Sequence, residues 1–358
     1  MNNLFTSKYH RFISAAMTLA LAESIALTGC SFNVKDYASR TSGSSLTNVV
    51  VQLSWNLNGE FAPITAAILN GYYAEEGLNV TIREGGPQGT SFLDGTMLLS
   101  QDDSIDFAIG NDMTTQIQAK DKGDFYVETI GTIWQDIPSG LIVRPDLGVS
   151  TLSDLKNHPG FRIGFAGDDW ILHALADYVG VPIQFFTQIV TGTDAASFLA
   201  DQVDGLLGYW TSQAYEVGQA GEEYKFLPLS EIPGYSNPSL PIQTTDKLIH
   251  TKPELLSSFL RATAKGVAFT VTHPDAAAGT VLDPRFHATD LSSDEQNWLV
   301  NQAVAMRLFN YAPDPEQYLN LNETQLQNYL DFLFQYKVIS HSTVVADQTN
   351  LQFIHALY

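Results

Sequence analysis

Residues 49–89, VVVQLSWNLNGEFAPITAAILNGYYAEEGLNVTIREGGPQG, decide the fold. Val49, Val50, Val51 and Leu53 form the short apolar run of a strand buried on both faces. Residues 54–60 are too polar to continue it. Pro63 suits the first turn of a helix, where its missing N–H is no loss. Phe61, Ile64, Ile68 and Tyr72 then recur at helical spacing, and Gly77 supplies a C-terminal stop. Residues 79–84 alternate, with Val80 and Ile82 on one side, and Gly85-Gly86-Pro87 reads as a tight turn. A strand, a crossover helix and a second strand make a right-handed βαβ unit with parallel strands. The loop after its first strand lies at the carboxyl edge of the sheet, where open α/β folds bind ligands. That loop carries Trp55, Asn56, Asn58 and Glu60.

Working outward, residues 90–100 are expected as a helix with Phe92, Leu93 and Met97 inward, and 104–110 as a strand. Asn111 or Asp112 suits the cap of a helix reaching Lys120. Residues 126–134 read as a strand ending at Trp134-Gln135. A second unit of the same type follows, with strands at 141–143, 161–165, 185–190 and 205–209. Helices at 151–156, 171–178 and 194–200 separate them. Pro228, Pro233, Pro238 and Pro241 mark a boundary, and the pattern is helical from Pro253 onward. The fold class is therefore α/β: two lobes, each a mostly parallel sheet flanked by helices, with a helical C-terminal tail. The expected division is 48–138 plus 242–358 for the first lobe and 139–241 for the second, with a cleft between them.

The N-terminus predicts export. Lys8, His10 and Arg11 precede an apolar run from 12 to 27, followed by Leu-Thr-Gly-Cys at 27–30. A basic region, a short apolar core and small residues before a cut describe a secretory signal over 1–29. The small pair before Cys30 resembles the bacterial lipoprotein box, in which the cysteine is lipidated. Cys30 is the only cysteine in the chain, so an exported form has no disulfide partner for it. Residues 30–47, rich in Ser, Thr and Gly, read as a tether between the lipid and the first strand. The formal net charge of −21 argues against nucleic acid and against an anionic membrane surface as direct partners.

Together these segments resemble a family. WNLNGEF and AAILNGYYAEEGLNVTI with the Gly-Gly-Pro turn are similar to the substrate-binding proteins of nitrate, sulfonate and taurine ABC importers. That group includes relatives of the fungal thiamin-pyrimidine synthase. SIDFAIGNDMTTQIQAKDKG, VSTLSDLKNHPGFRIGF, VDGLLGYWTSQAYEVGQAG and KPELLSSFLRATAKGVAFTVTHPDAA extend the resemblance, in order, over 49–278. It implies the two-lobe periplasmic-binding-protein type II fold, a small-molecule ligand, no cofactor, a permease and its ATPase as partners, and a monomer on a lipid anchor. Gly208-Tyr209-Trp210 looks most like the pyrimidine-binding branch, where Asn and an acidic residue usually follow. Here Thr211 stands in the Asn position and Glu216 comes later. Asn56, Leu57 and Asn58 stand where that branch tends to have Pro-Asn and a histidine. A flavin-binding branch shares the Gly-Gly-Pro turn, and a sulfonate or nitrate ligand belongs to the same group. The synthase relatives use a lysine-bound pyridoxal cofactor and a cysteine-rich motif, which a one-cysteine chain lacks.

Trp55, Trp134, Trp170, Tyr209 and Trp210 all fall at or just after predicted strand ends, placed to stack on a flat heterocycle or to seal the core beneath the loops. Asn56, Asn58, Glu60, Gln88, Asn111, Asp112, Gln135 and Glu216 offer donors and acceptors for its edge, although Asp112 reads equally well as a helix cap. Gly86 lets backbone approach a ligand or simply turns the chain. Asp168, beside Asp169, offers a further carboxylate or caps the next helix. The eight histidines show no metal-ligand spacing, and no GxxxxGK, GxGxxG or GxSxG motif is present. A binding protein rather than an enzyme is expected.

Overall fold

The structure is a computed structural model that describes residues 45–88, 91–167, 169–287, 291–310, 314 and 317–358. The segment expected as a signal, Cys30, most of the expected tether and Asp168 lie outside the described residues. Twelve strands follow in chain order: β1 (Thr47–Leu53), β2 (Leu78–Arg83), β3 (Gly86–Gln88), β4 (Ser91–Leu93), β5 (Phe107–Ile109), β6 (Val127–Trp134), β7 (Ser139–Val143), β8 (Arg162–Phe165), β9 (Thr187–Val190), β10 (Gly205–Tyr209), β11 (Lys225–Pro228) and β12 (Ser239–Thr245). They form two five-stranded sheets, ordered β2-β1-β5-β12-β6 and β11-β7-β10-β8-β9, and a small β3-β4 hairpin.

The opening unit folds as expected, with β1 parallel to both β2 and β5. Its helix, however, is two pieces, Ala62–Leu69 and Tyr72–Glu75, because Gly71 takes φ +78° between them. Each sheet is mostly parallel, as expected, with four strands running one way and a single strand against them. β12 runs antiparallel to β5 and β6, and β7 antiparallel to β10 and β11. The reason is the path of the chain. It leaves the first sheet through residues 135–138 and returns through 229–238, so β7 and β12 each start at the edge where their neighbours end. Pro238 and Pro241 hide β12 in the sequence. Pro241 nevertheless sits in the strand opposite Thr132, beside a register shift at Ile242 and Gln243, and its carbonyl accepts from Gly110 N at 3.0 Å.

The stretch expected as one helix over 90–100 divides as well. Ser91–Leu93 pairs back on Gly86–Gln88, so the Gly-Gly-Pro segment is a hairpin arm rather than a turn. Asp94 then caps the helix Gly95–Gln101 by accepting from Met97 N at 2.9 Å. The core of the first lobe packs Val49, Val51, Leu53, Phe107 and Ile109, all fully buried, against the tail helix Pro253–Thr272. Phe107 and Phe259 stack with centroids 4.0 Å apart. That helix crosses Ala62–Leu69 so closely that a Cβ on Gly266 would lie 2.1 Å from the carbonyl oxygen of Pro63. Among the described residues no helix is long and apolar enough to cross a membrane.

Candidate functional site

The loops at the facing edges of the two sheets enclose a cavity of about 860 Å³. The first lobe contributes the loop after β1 and Asn111 after β5. The second contributes the end of β10, the start of β7 and the loops after β8 and β9, while Tyr235 comes from the returning segment and Glu295, Gln296 and Leu299 from the helix Ser293–Ala305.

The loop after β1 is fixed from several directions. Leu57 N donates to Glu84 Oε1 (2.9 Å), Gly85 N donates to the Trp55 carbonyl (3.1 Å), and Gly59 N donates to Gln296 Oε1 (2.6 Å). Asn58 caps the short turn Gly59–Phe61, its Oδ1 accepting from Glu60 N at 2.8 Å. Gly86, at φ +74°, lies against the indole of Trp55: a Cβ there would sit 3.2 Å from Cδ2 and Cε3. Gly86 therefore supports the ring from behind and is not itself in the cavity wall. Glu60 is half-buried, and loss of solvent pushes its carboxyl up to about 7 against the lowering effect of Asn58.

On the opposite lobe, Tyr209 N donates to Gln213 Oε1 (2.7 Å), and Gln213 Nε2 donates to the Thr193 carbonyl (2.6 Å). Burial raises the Tyr209 hydroxyl well above its ordinary value, and the nearby Asp112, Tyr235 and Glu60 add to the rise. The Tyr235 and Ser139 hydroxyls share a 2.9 Å hydrogen bond across the crossover. Glu216 accepts from Ala195 N at 2.7 Å; burial raises its carboxyl, and Asp194 and Glu295 raise it further.

Of the residues expected at the site, Trp55, Asn56, Asn58, Glu60, Asn111, Tyr209 and Glu216 line this one cavity. The others do other work. Trp134 is fully buried, edge-on to Phe309 at 6.3 Å. Trp170 packs against Tyr235 and Phe332. Trp210 turns outward to Trp298, donating Nε1–H to Gln302 Oε1 at 2.8 Å. Gln135 is buried and donates to the Asn320 carbonyl at 2.8 Å. Asp112 caps Thr114 N at 2.7 Å, behind the wall, and burial raises its carboxyl. Gln88 ends β3, and its side chain is outside what is described. Sequence reasoning passed over Ser139, Asp194, Tyr235, Glu295 and Gln296. Tyr235 lay in the proline-dense stretch, and Glu295 and Gln296 lay in a tail with no pattern pointing back to the first loop.

Among the described residues lining the cavity there is no Lys, Arg, His or Cys. No three described His, Cys, Asp or Glu side chains cluster to hold a metal ion. With no lysine in the wall, these residues do not fit a lysine-bound pyridoxal cofactor. The wall offers ring faces and hydrogen-bonding edges, with no nucleophile–base pair among its described residues.

Residues 58–277 match the family described as NMT1/THI5 like, over more than half of the chain. The chain belongs to the NMT1/THI5-like family. It is 27% identical over 244 residues to a 4-amino-5-hydroxymethyl-2-methylpyrimidine phosphate synthase of Legionella pneumophila, across 64% of this chain and 72% of that one. It is 25% identical over 256 residues to the riboflavin-binding protein RibY of Chloroflexus aurantiacus (70% and 71%), and 24% over 267 residues to a formylaminopyrimidine-binding protein of Halalkalibacterium halodurans (73% and 75%). The periplasmic nitrate-binding protein NrtA of Synechocystis superposes with a TM-score of 0.62 at 14% identity, over 87% of this chain and 88% of that one. The fold of this NMT1/THI5-like chain is thus the two-lobe one of periplasmic binding proteins. The helix Ser293–Ala305, which closes one side of the cavity, lies beyond the residues that match the family.

Proposed function

We propose that this chain is an extracytoplasmic solute-binding lipoprotein of an ABC importer, holding a small aromatic heterocycle in the cleft between its lobes. The first choice of ligand is a thiamin-precursor pyrimidine such as hydroxymethylpyrimidine or formylaminopyrimidine. One observation carries the reading: the cavity wall combines Trp55, Tyr209 and Tyr235 with Asn and Glu edges and lacks cationic side chains among its described residues. Aromatic walls with a few placed polar groups suit a flat heterocycle. A nitrate or sulfonate is better served by Arg, Lys or helix N-termini. A wall without Lys, His or Cys among its described residues favours binding over catalysis, although four of the relatives are synthases by name. In this reading Cys30 carries the lipid at the cell membrane, the protein acts as a monomer, and the cleft delivers its solute to the permease and its ATPase.

The size of the cavity favours a second reading. At about 860 Å³ it lies toward the upper end of the roughly 300–1,000 Å³ typical of small-molecule sites, more than one pyrimidine ring fills. Riboflavin is the alternative, and RibY is among the relatives. Titration of the purified protein with hydroxymethylpyrimidine, formylaminopyrimidine, riboflavin and an alkanesulfonate, followed by tryptophan fluorescence, separates these. Saturable quenching by a heterocycle at or below micromolar concentration is the expected result. Binding only the sulfonate, or none of them up to about millimolar, overturns the reading. A Schiff-base absorption band with pyridoxal phosphate would restore the enzyme.

A further inference from the structure

We infer that Gln296 determines specificity in this cleft: its amide N–H groups donate to an acceptor on the heterocycle, a ring nitrogen or an oxygen, and select against ligands that place carbon there. The inference rests on the heterocycle-binding role proposed above. Gln296 stands near the start of the helix Ser293–Ala305 and lines the cavity, although only 1% of it is exposed. Which end of a glutamine amide is oxygen is decided by its partners. Here the partner is Gly59 N, which can only donate, at 2.6 Å, so the oxygen faces the loop after β1. The nitrogen end points elsewhere. It donates to none of the described residues, yet it is not among the buried atoms sealed off without a partner. Nε2 is therefore open to the cavity that Gln296 lines, with two hydrogens to give.

The amide is also held in place. A Cβ on Gly59 would lie 3.0 Å from Val300 Cγ2 and 3.3 Å from the Gln296 carbonyl oxygen, so the loop lies flat on the helix and its N–H keeps hold of Oε1. A donor fixed in advance costs little ordering when a ligand arrives. In an open cleft water can satisfy it. A bound ring displaces that water, and a ring offering C–H at this point strands a buried donor. Sites of this kind discriminate through what the wrong ligand leaves unpaired. The ionised carboxylates of the wall only accept, and Gln296 adds a donor among them. It lies beyond residues 58–277, so this selectivity is written in the tail and not in the part of the chain that matches the family.

A cycle of variants and probes tests the contact. The probes are 4-amino-5-hydroxymethyl-2-methylpyrimidine and three analogues that each lack one acceptor: either ring nitrogen replaced by C–H, or the hydroxyl removed. Gln296→Glu keeps an acceptor for Gly59 N and loses both donor hydrogens. Calorimetric titration of the full-length protein at about pH 8, where an ordinary carboxylate is ionised, is expected to show one analogue binding wild type about tenfold more weakly than the parent probe. In Gln296→Glu the parent probe is expected to weaken by a similar factor, and its advantage over that analogue to vanish. A residue that merely fastened the loop would weaken every probe alike. Should Gln296→Glu not fold, Gln296→Met gives the same cycle, because any effect on the loop is common to all probes and cancels. If riboflavin binds and the pyrimidine does not, the cycle is run with its 1-deaza, 5-deaza, 2-thio and 4-thio analogues. Tight binding with no analogue coupled to position 296, or with all analogues equal in wild type, overturns the inference and leaves the heterocycle reading standing. If neither the pyrimidine nor riboflavin binds up to about millimolar, the heterocycle reading fails, and the inference with it.

Discussion

Glu60 and Asp121 belong to the same lobe and are held in opposite ways. In the cleft wall, Glu60 is half-buried with no ion pair among the described residues, and burial lifts its carboxyl to about 7. Away from the cleft, Asp121 accepts from the N–H and hydroxyl of Ser340 at 2.7 and 2.8 Å and from the N–H and Nδ1 of His341 at 2.9 and 3.0 Å. Burial alone would raise Asp121, but these bonds outweigh it and hold the carboxyl at about 2. Where the fold surrounds a carboxylate with donors, it is fastening the tail to the helix Thr114–Lys122. Where donors are few, as at Glu60, the carboxylate faces the cleft in which the proposed solute would sit. If that proposal holds, substitutions behind the lobe should change stability and substitutions on its cleft face should change binding.

The largest effect is expected behind the cleft. Gly266→Ala drives a methyl into the Pro63 carbonyl and should cost about 3 kcal/mol in urea unfolding, with ligand affinity of the folded fraction unchanged. A loss of affinity without a loss of stability would break the comparison. Next comes Trp55→Ala, expected to weaken heterocycle binding about 100-fold with a smaller effect on the unfolding midpoint. Third, Asp121→Ala should lower stability by about 1–2 kcal/mol at neutral pH. Because the Asp121 carboxyl is held low, its contribution is complete above the ordinary carboxylate range and disappears as pH falls toward 2. The variant and the parent should therefore converge in acid-unfolding curves. The smallest effect has the opposite sign. Glu60 titrates higher in the folded protein than in the unfolded chain, so the folded state loses stability as pH rises from about 4.5 through 7. Glu60→Gln should stabilise the protein by about 1 kcal/mol at pH 8, after allowance for partial exposure, and have almost no effect at pH 4. Equal effects at the two pH values would show that Glu60 is not held as described.

The opening βαβ unit was legible because its signals are local. An apolar run, a proline at a helix start and a glycine at its end each act within a few residues. The loop bearing Trp55 was legible for the same reason, since it follows from where a strand stops. What was hidden depends on distant chain. β12 contains Pro241, which argues against a strand until its place between β5 and β6 is known. The outward turn of Trp210 is set by Gln302 and Trp298, about ninety residues later in the chain. Gly86 reads as a turn residue from its neighbours and becomes the backing of Trp55 only once β3 is paired with β4. Tryptophans at strand ends cannot be sorted into wall and core by spacing alone, because the partner that covers Trp134, Phe309, is supplied by the tail.

The helix Ser293–Ala305 holds both lobes at once. Gln296 accepts from Gly59 N of the first lobe, and Gln302, just along the same helix, accepts from the indole of Trp210 in the second. Trp298, between them, sits 6.1 Å from Trp210 and 5.0 Å from Tyr215, ring centre to ring centre. Indoles this close are expected to couple through their strong far-ultraviolet transitions and to give a paired band in the far-ultraviolet circular dichroism spectrum. A movement of the second lobe away from this helix would separate the two rings, so loss of that band is the expected optical sign of such a movement.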